Sequence, residues 1–365
     1  MAMAEKKTEP FQSDPTKTRA SLNDVAESVG ITSAIAVRAL RGAPDIKPDL
    51  AQRTREAAER LNFPLEDISE EDARNGVIAV LVNTMRNTWI SDLVRAIRIE
   101  LSATGRTVVV VPTRQRVPEY PVTVDESTIS SLTALGVDGF IMASDLPDMD
   151  VVRRAIGSRP IVAIGASKQH IGTMDTVRID DEAGLGLVVD HLVAMGHKDI
   201  AHVGGVGYTV AQERAEAFTA AMARHGLEDR ARVEPADFSE QVGRTAGSML
   251  LNGSSVPTAI TCSNDVTATG VLTAAVEAGY SVPADLSVVG YGNTSLAASG
   301  TAQLTSIDPN SRRLGAMAAQ FIVERAGGYD GPARDVAVTP RLEVRRSSSA
   351  GPRPEKQRRR RITLD

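Results

Sequence analysis

Residues Ser21 to Gly42 read SLNDVAESVGITSAIAVRALRG, and this stretch predicts two short helices held at a tight turn. Ser21 with Asp24 three residues on forms a capping-box start, each side chain satisfying the other residue's backbone N–H. Val25, Ala26 and Val29 give one apolar face at helical spacing. Gly30 ends that helix, Thr32 offers a second N-cap, and the next helix runs from Ser33 to Leu40. A helix, a glycine turn and a second helix of this length form the geometry that places the second helix in a DNA major groove. The same spacing fits an ordinary αα-hairpin, and pattern alone leaves both readings open.

Downstream, Ala43-Pro44-Asp45 makes a turn and Pro48 suits the first position of a third helix reaching about Asn62. Leu50, Thr54, Ala57, Ala58 and Leu61 face inward at that spacing. Three helices closing one small core make a headpiece at residues 20–63. A polar, mixed-charge lead-in broken by Pro10 and Pro15, residues 1–19, is expected to be disordered.

Asp24-Val25-Ala26, Gly30, Arg38, Leu40 and Gly42, then Arg55, Ala57-Ala58, Leu61 and Phe63, resemble the headpiece of the LacI/GalR family of bacterial repressors. The resemblance implies a transcription regulator whose partner is double-stranded operator DNA. It puts Ser33 and Ala34 at the two main base-reading positions, with Leu22 and Thr32 beside them. Arg38, Arg41, Lys47 and Arg53 then contact phosphates and set the register.

Departures from the family pattern bear on readout. Ala34 can offer only a methyl contact to thymine, Ile35-Ala36-Val37 replaces a polar-apolar-polar run, and Leu50 stands where a phosphate-binding Thr is common. In the family the following segment is a hinge helix with an Ala-Arg-x-Leu pattern that folds on the operator and inserts a leucine into the minor groove. Residues 64–76 here carry Glu66, Asp67, Glu70, Glu71 and Asp72, with Ile68 as an isolated wedge. Carboxylates near phosphates repel, so this acidic stretch reads more readily as a solvated linker than as a hinge that folds on DNA.

The rest of the chain sets bounds on class. At 365 residues it is long enough for two or three units. Its 41 Lys and Arg against 46 Asp and Glu leave a net charge of -5, so DNA affinity has to come from local basic clusters. A single cysteine, Cys262, excludes an intramolecular disulfide, fits a reducing cytosol and reads as a small buried hydrophobe. No run is apolar and long enough to cross a bilayer, and residues 1–20 lack a signal-peptide core, so neither membrane nor export is expected. The expected location is the bacterial cytoplasm, at the nucleoid when DNA is bound.

From Gly76 buried-strand runs alternate with amphipathic helices. GVIAVLV, RTVVVVP, GFIMAS and PIVAIG form one set of strands; DIAHVGG, ARVEPAD, TAITCSN and SVVGYG form a second. Such alternation means α/β architecture, with parallel sheets covered by helices on both faces. The expected fold is a small all-α helix-turn-helix headpiece plus a periplasmic-binding-protein-like effector domain of two Rossmann-like lobes. The effector and dimerisation domain spans 77–346, with lobe 1 at about 77–178 and 309–338 and lobe 2 at about 179–308 and 339–346. LTSID and VTPRLEVRRS are the segments that tie the lobes together. Ligands of such sheets bind at the carboxyl ends of strands, so the cleft between the lobes is the default site.

Resemblance to the family's effector domain is dense around that cleft: EAG at 182–184, HLVAMGHKDIAHVGG at 191–205, SND at 263–265, VPADLSVVGYG at 282–292 and LTSID at 304–308. It implies that Arg214 binds ligand hydroxyls or carboxylate, a surface helix salt bridge being the other reading. Asn264, with Asp265, would hydrogen-bond ligand while also capping a helix. Phe238 would pack on a sugar-like ring or belong to the lobe core. Asn83 ends the first strand, Trp89 lies beside the cleft or packs an interface, and Asn293, Thr294 and Asp308 lie at the last strand and on a crossing segment. Gly165 and Gly292 replace acidic residues of sugar-binding relatives, which removes hydroxyl acceptors.

No GxSxG elbow, HExxH, CxxC or P-loop is present, and His191 and His197 lie six residues apart, off a shared helical face. Nothing points to an enzyme, a metal or a cofactor. Residues 347–365, SSSAGPRPEKQRRRRITLD, read as a disordered basic tail that adds salt-sensitive DNA affinity or merely solubilises. The resemblance thus implies a homodimeric repressor that answers to a sugar, polyol or cyclitol. A small-molecule sensor with degraded DNA reading is the alternative.

Overall fold

The computed structural model describes residues 20–31, 33–42, 46–68, 76–82, 88–112, 114–115, 123–143, 146, 149–165, 168, 171–207, 209–298 and 303–351. The chain divides into two units, Met1–Asn75 and Gly76–Asp365.

In the first unit α1 (Leu22–Val29), α2 (Ser33–Leu40) and α3 (Pro48–Arg60) pack on one another. Ser21 and Asp24 make the capping box, with Ser21 N–H donating to Asp24 Oδ2 at 2.7 Å and Asp24 N–H to Ser21 Oγ at 3.3 Å. Gly30, at φ +75°, closes α1, its N–H donating to Glu27. Leu22, Val25, Ala26, Ala36, Val37, Ala57, Ala58 and Phe63 form the core, joined by half-buried Leu61 and Ile68. Ala51 fills the inward place at the start of α3, where Leu50 is only half buried. Beyond α3 a single 3-10 turn, Leu65–Asp67, carries the acidic segment to Ile68; the proposed hinge from 69 to 75, the Thr32 cap and the lead-in lie outside the described residues.

The second unit holds two six-stranded sheets. The first is built from β1 (Val77–Val82), α4 (Thr88–Ala103), β2 (Thr107–Pro112), a short hairpin of β3 (Arg114–Gln115) and β4 (Thr123–Val124), α5 (Glu126–Ala134), β5 (Gly139–Met142), α6 (Met149–Ile156), β6 (Ile161–Ile164) and β7 (Asp175–Ile179). The chain then crosses to the second sheet with α7 (Asp181–Ala194), β8 (Ile200–Gly205), α8 (Thr209–Arg224), β9 (Arg232–Ala236), α9 (Glu240–Leu251), β10 (Ala259–Cys262), α10 (Asp265–Glu277), β11 (Ser287–Tyr291), α11 (Ser295–Ala298) and β12 (Thr305–Asp308). It returns with α12 (Ser311–Ala326) and β13 (Asp335–Val338), and crosses a last time into β14 (Arg341–Glu343).

Strand order is β2-β1-β5-β6-β7-β13 in one sheet and β9-β8-β10-β11-β12-β14 in the other. All pairings within them are parallel except β12 with β14. The central strands β1, β5, β8, β10 and β11 are buried on both faces, which is why they read as near-continuous apolar runs. Helices α4 and α12 pack together on one face of the first sheet and α5 and α6 on the other; in the second sheet the pairs are α7 with α8 and α9 with α10. One apolar core, from Ile78 and Leu93 through Val189 to Phe218 and Ile307, runs through both lobes.

Two segments read as lobe ties are strands, β12 and β14, and two further strands, β7 and β13, pair with each other. The serines at 347–349 correct the expected tail. Ser347 Oγ donates to the Val288 carbonyl at 2.5 Å and accepts from Thr305 N–H at 2.8 Å. Ser348 Oγ bonds His191 Nε2 at 3.0 Å, and the Ser349 carbonyl accepts from His197 Nε2 at 2.9 Å. These residues close the second lobe, and the remaining basic stretch, 352–365, lies outside the described residues.

Candidate functional site

In both sheets the chain order reverses beside the first strand, between β2 and β5 across β1 and between β9 and β10 across β8. Loops at the carboxyl ends there diverge and leave a crevice. In the second lobe that crevice is walled by the ends of β8, β10 and β11 and by α8.

Arg214, on α8, is 7% exposed. Its Nε donates to Asp181 Oδ1 at 3.0 Å and its Nη1 to the Ser263 carbonyl at 2.7 Å. The guanidinium carbon lies over the Tyr291 ring, 3.6 Å from its centroid, and 6.0 Å from that of Phe238. The Tyr291 hydroxyl donates to the same Asp181 oxygen. Burial opposes the Arg214 charge, but the Asp181 carboxylate outweighs it and keeps the guanidinium protonated. Burial, reinforced by Asp181, pushes the Tyr291 phenol well above its usual range, so it stays a donor. Two bonds of the fork, from Nε and Nη1, fix its orientation.

Asn264 caps α10, its Oδ1 accepting from Thr267 N–H at 2.7 Å, while Nδ2 donates to the Phe238 carbonyl at 3.2 Å. That bond ties the Phe238 loop to the α10 start. Asp265 is 1% exposed and inward. Its Oδ2 accepts from Thr294 N–H and Oγ1, both at 2.8 Å, and its Oδ1 from Ser306 Oγ at 2.6 Å. Burial pushes the Asp265 carboxyl up against these donations. Its work is to pin the loop after β11, so the structure moves Asp265 and Thr294 from ligand contacts to scaffold. Asn293, in the left-handed region at φ +46°, accepts from Arg345 Nη2 at 2.5 Å. Asp308 Oδ1 accepts from Asn310 N–H at the start of α12.

In the first lobe Trp89 packs against Gly165: a Cβ there would lie 2.9 Å from the indole ring, and its φ of +58° suits glycine. The aromatic ring therefore takes up space beside the position at which relatives carry an acid. Asn83 lies outside the described residues.

A cavity of about 220 Å³ opens between the lobes, lined by Lys168, Arg178, Asp180, Asp181, Glu182 and Glu213. Lys168, from the first lobe, reaches Glu182 Oε1 at 2.5 Å and gives its backbone N–H to Glu213 Oε1 at 2.9 Å. Arg178 donates to Asp335 through Nε and Nη2. Among the described residues no group of His, Cys, Asp or Glu could hold a metal ion. Asp181, Tyr291 and Ser263 were not singled out from the sequence; their signal was only position, at the strand ends flanking Arg214.

On the headpiece, Arg41, Lys47 and Arg53 are exposed and Arg38 is half buried. Ser33, at the start of α2, donates to Asn23 Oδ1 at 2.5 Å. Ala34 lies in the first turn of α2. Leu22 is 6% exposed and belongs to the core, where a side chain packs rather than reaching a duplex.

Residues 189–348 match the family model of a periplasmic binding protein-like domain. A LacI-family transcriptional regulatory protein from Corynebacterium glutamicum is 31% identical, the match covering 76% of this chain and 99% of that one, with a TM-score of 0.64. A LacI family regulator from Enterococcus faecium with bound ribose is 27% identical over 75% of this chain and 99% of its own, TM-score 0.66. The lac repressor dimer bound to operator and the anti-inducer ONPF is 26% identical over 91% of this chain and 100% of its own, TM-score 0.67. These relatives are regulators and repressors of transcription, not enzymes. With that identity spanning the Corynebacterium glutamicum protein almost end to end, and with two parallel-sheet lobes preceded by a helical headpiece, the chain belongs to the LacI/GalR family of DNA-binding transcriptional repressors.

Proposed function

We propose that this repressor binds a palindromic operator as a homodimer and changes its DNA affinity when a small sugar- or polyol-like metabolite enters the interlobe cleft. The observation that carries the reading is Arg214, whose buried guanidinium is fixed by Asp181, Ser263 and Tyr291 at the strand ends of the second lobe. A held fork of donors suits hydroxyl or carbonyl oxygens. The ribose in the Enterococcus faecium regulator supports a pentose-sized ligand, and the operator-bound lac repressor dimer supports twofold DNA binding. Ligand closing the lobes and DNA holding the headpieces are then linked, with a coupling of about 1–3 kcal/mol.

The test is selection of bound sequences from random duplex DNA at two salt concentrations, with and without ribose and a panel of polyols. A palindromic motif that persists at raised salt and responds to one polyol supports the function. Motif-free, salt-sensitive binding overturns it in favour of a sensor with degraded DNA reading.

A further inference from the structure

His202 stands inside β8 with no exposed surface. Its ring stacks on Phe218, with 5.4 Å between centroids and 24° between planes, and its Nε2 lies 3.1 Å from Ser263 Oγ. The Ser263 carbonyl in turn accepts from Arg214 Nη1 at 2.7 Å. Arg214 and Phe218 sit one helical turn apart on the same face of α8. The four residues close a circuit: Arg214 to Ser263, Ser263 to His202, His202 to Phe218, and one turn of helix back to Arg214. Resting on the effector-binding function above, we propose that His202 is a positioning residue of the effector site, holding Ser263 so that its carbonyl sets the direction of the Arg214 guanidinium.

Three observations separate this role from packing alone. Among the described residues His202 Nδ1 has no hydrogen-bond partner, so Ser263 Oγ is the ring's one polar anchor. A leucine would fill the same space without leaving a buried polar atom unmet, but it would release Ser263. Gly204, two residues on and therefore on the same face of β8, leaves room for the pair: a Cβ there would overlap both Ser263 Oγ and His202 Nε2. Strand β10 ends at Cys262, so beyond the bond from its N–H to the Val203 carbonyl at 3.0 Å, Ser263 has no ladder to fix its own carbonyl. The hydroxyl is the second tie. It holds in either tautomer of the ring, because Nε2 can donate to Oγ or accept from it and a hydroxyl serves both ways. Burial and the Arg214 charge both keep the ring neutral, so the tie adds no second cation beside the guanidinium.

The experiment is a set of urea-unfolding cycles on the full chain. Arg214→Lys keeps a charge beside Asp181 but cannot hold Asp181 and the Ser263 carbonyl together, so it removes the bond that His202 supports. His202→Leu and Arg214→Lys are expected to be non-additive, by about 3- to 30-fold in the unfolding equilibrium constant. That coupling should fall to within about 2-fold of additivity in a Ser263→Ala background, which lacks the joining hydroxyl. His202→Gln, whose amide can still bond the hydroxyl, should couple to Arg214→Lys less than His202→Leu does. If His202→Leu does not fold, Ser263→Ala against Arg214→Lys supplies the same coupling. Additive losses, or a coupling that Ser263→Ala leaves intact, overturn the proposal. In a second arm, ribose and those polyols that raise the wild-type Tm are titrated: His202→Leu should bind them about 3- to 10-fold more weakly, with His202→Gln restoring the affinity. Equal affinities in His202→Leu and wild type also overturn it. If no sugar or polyol binds the wild type, the effector reading fails, and the cycles still decide whether His202 holds Arg214.

Discussion

Arg214 lies on the face of Tyr291 with 3.6 Å between guanidinium carbon and ring centroid, and both residues donate to one oxygen of Asp181. The three side chains come from α8, β11 and the first residue of α7. Such a buried charge is tolerated only while its partner stays. Asp181→Ala should cost about 3–5 kcal/mol in urea unfolding, because it strands the guanidinium. Tyr291→Phe keeps the stack and should cost only about 1–2 kcal/mol. Equal losses in the two variants would show that Asp181 is not what compensates Arg214.

Trp89 is the single tryptophan of the chain, so its emission reports one place, its packing against Gly165 in the first lobe. Restoring an acid with Gly165→Asp adds a Cβ 2.9 Å from the ring at a left-handed φ. The expected result is a changed emission maximum and a loss of about 1–3 kcal/mol of stability. A titrated polyol that enters the cleft should perturb the same signal in the wild type. An emission spectrum untouched by Gly165→Asp would separate Trp89 from Gly165.

Much of the fold was legible because its signals are local. The capping box of Ser21 and Asp24, the stop at Gly30 and Pro48 at the first position of α3 need only a few residues of context. Strand β7, DTVRI, was missed because Asp175 and Arg178 interrupt its apolar pattern; Asp175 is buried against Arg325 and Arg334, and Arg178 pairs with Asp335 on β13. Those partners lie some 150 residues away. The same distance hid the site's support: Asp181 and Tyr291 are 110 positions apart, so Arg214 could be named and its holders could not. Asp265 looked like a ligand contact because the SND run marks a strand end, while the direction of its carboxylate depends on Ser306 and Thr294.

Ser347 to Gly351 behave as a strap rather than a tail. The Ser347 carbonyl takes Val288 N–H at 2.8 Å and Gly351 N–H reaches the Met195 carbonyl at 2.9 Å, in addition to the serine and histidine bonds. A chain ending at Arg346 leaves the buried backbone groups of Val288 and Thr305 that Ser347 meets without those partners, each worth about 1–3 kcal/mol. It should melt many degrees lower or fail to fold, while a chain ending at Gly351 should melt within about 2 °C of the full length. Equal melting temperatures for the two truncations would refute the strap.

His202 gives the second lobe a pH dependence. It stacks on Phe218 at 5.4 Å between centroids and bonds Ser263 Oγ through Nε2 at 3.1 Å. Burial, with the nearby Arg214 charge, pushes its imidazole down to about 3; an unfolded histidine titrates near about 6.5. The fold therefore holds the neutral ring, and its contribution is complete above about pH 6.5 and shrinks as pH falls toward 3. Burial lowers His191 and His197 as well, so the strap weakens over the upper part of the same range. Asp265, raised by burial, works in the opposite direction only near the carboxylate range. Wild-type stability should fall between pH 6.5 and 4, and His202→Gln, which keeps a donor for Ser263 and cannot titrate, should flatten that slope by up to about 1.4 kcal/mol per pH unit. Urea unfolding across the range measures it, and parallel slopes for the two proteins would mean that His202 takes up no proton on unfolding.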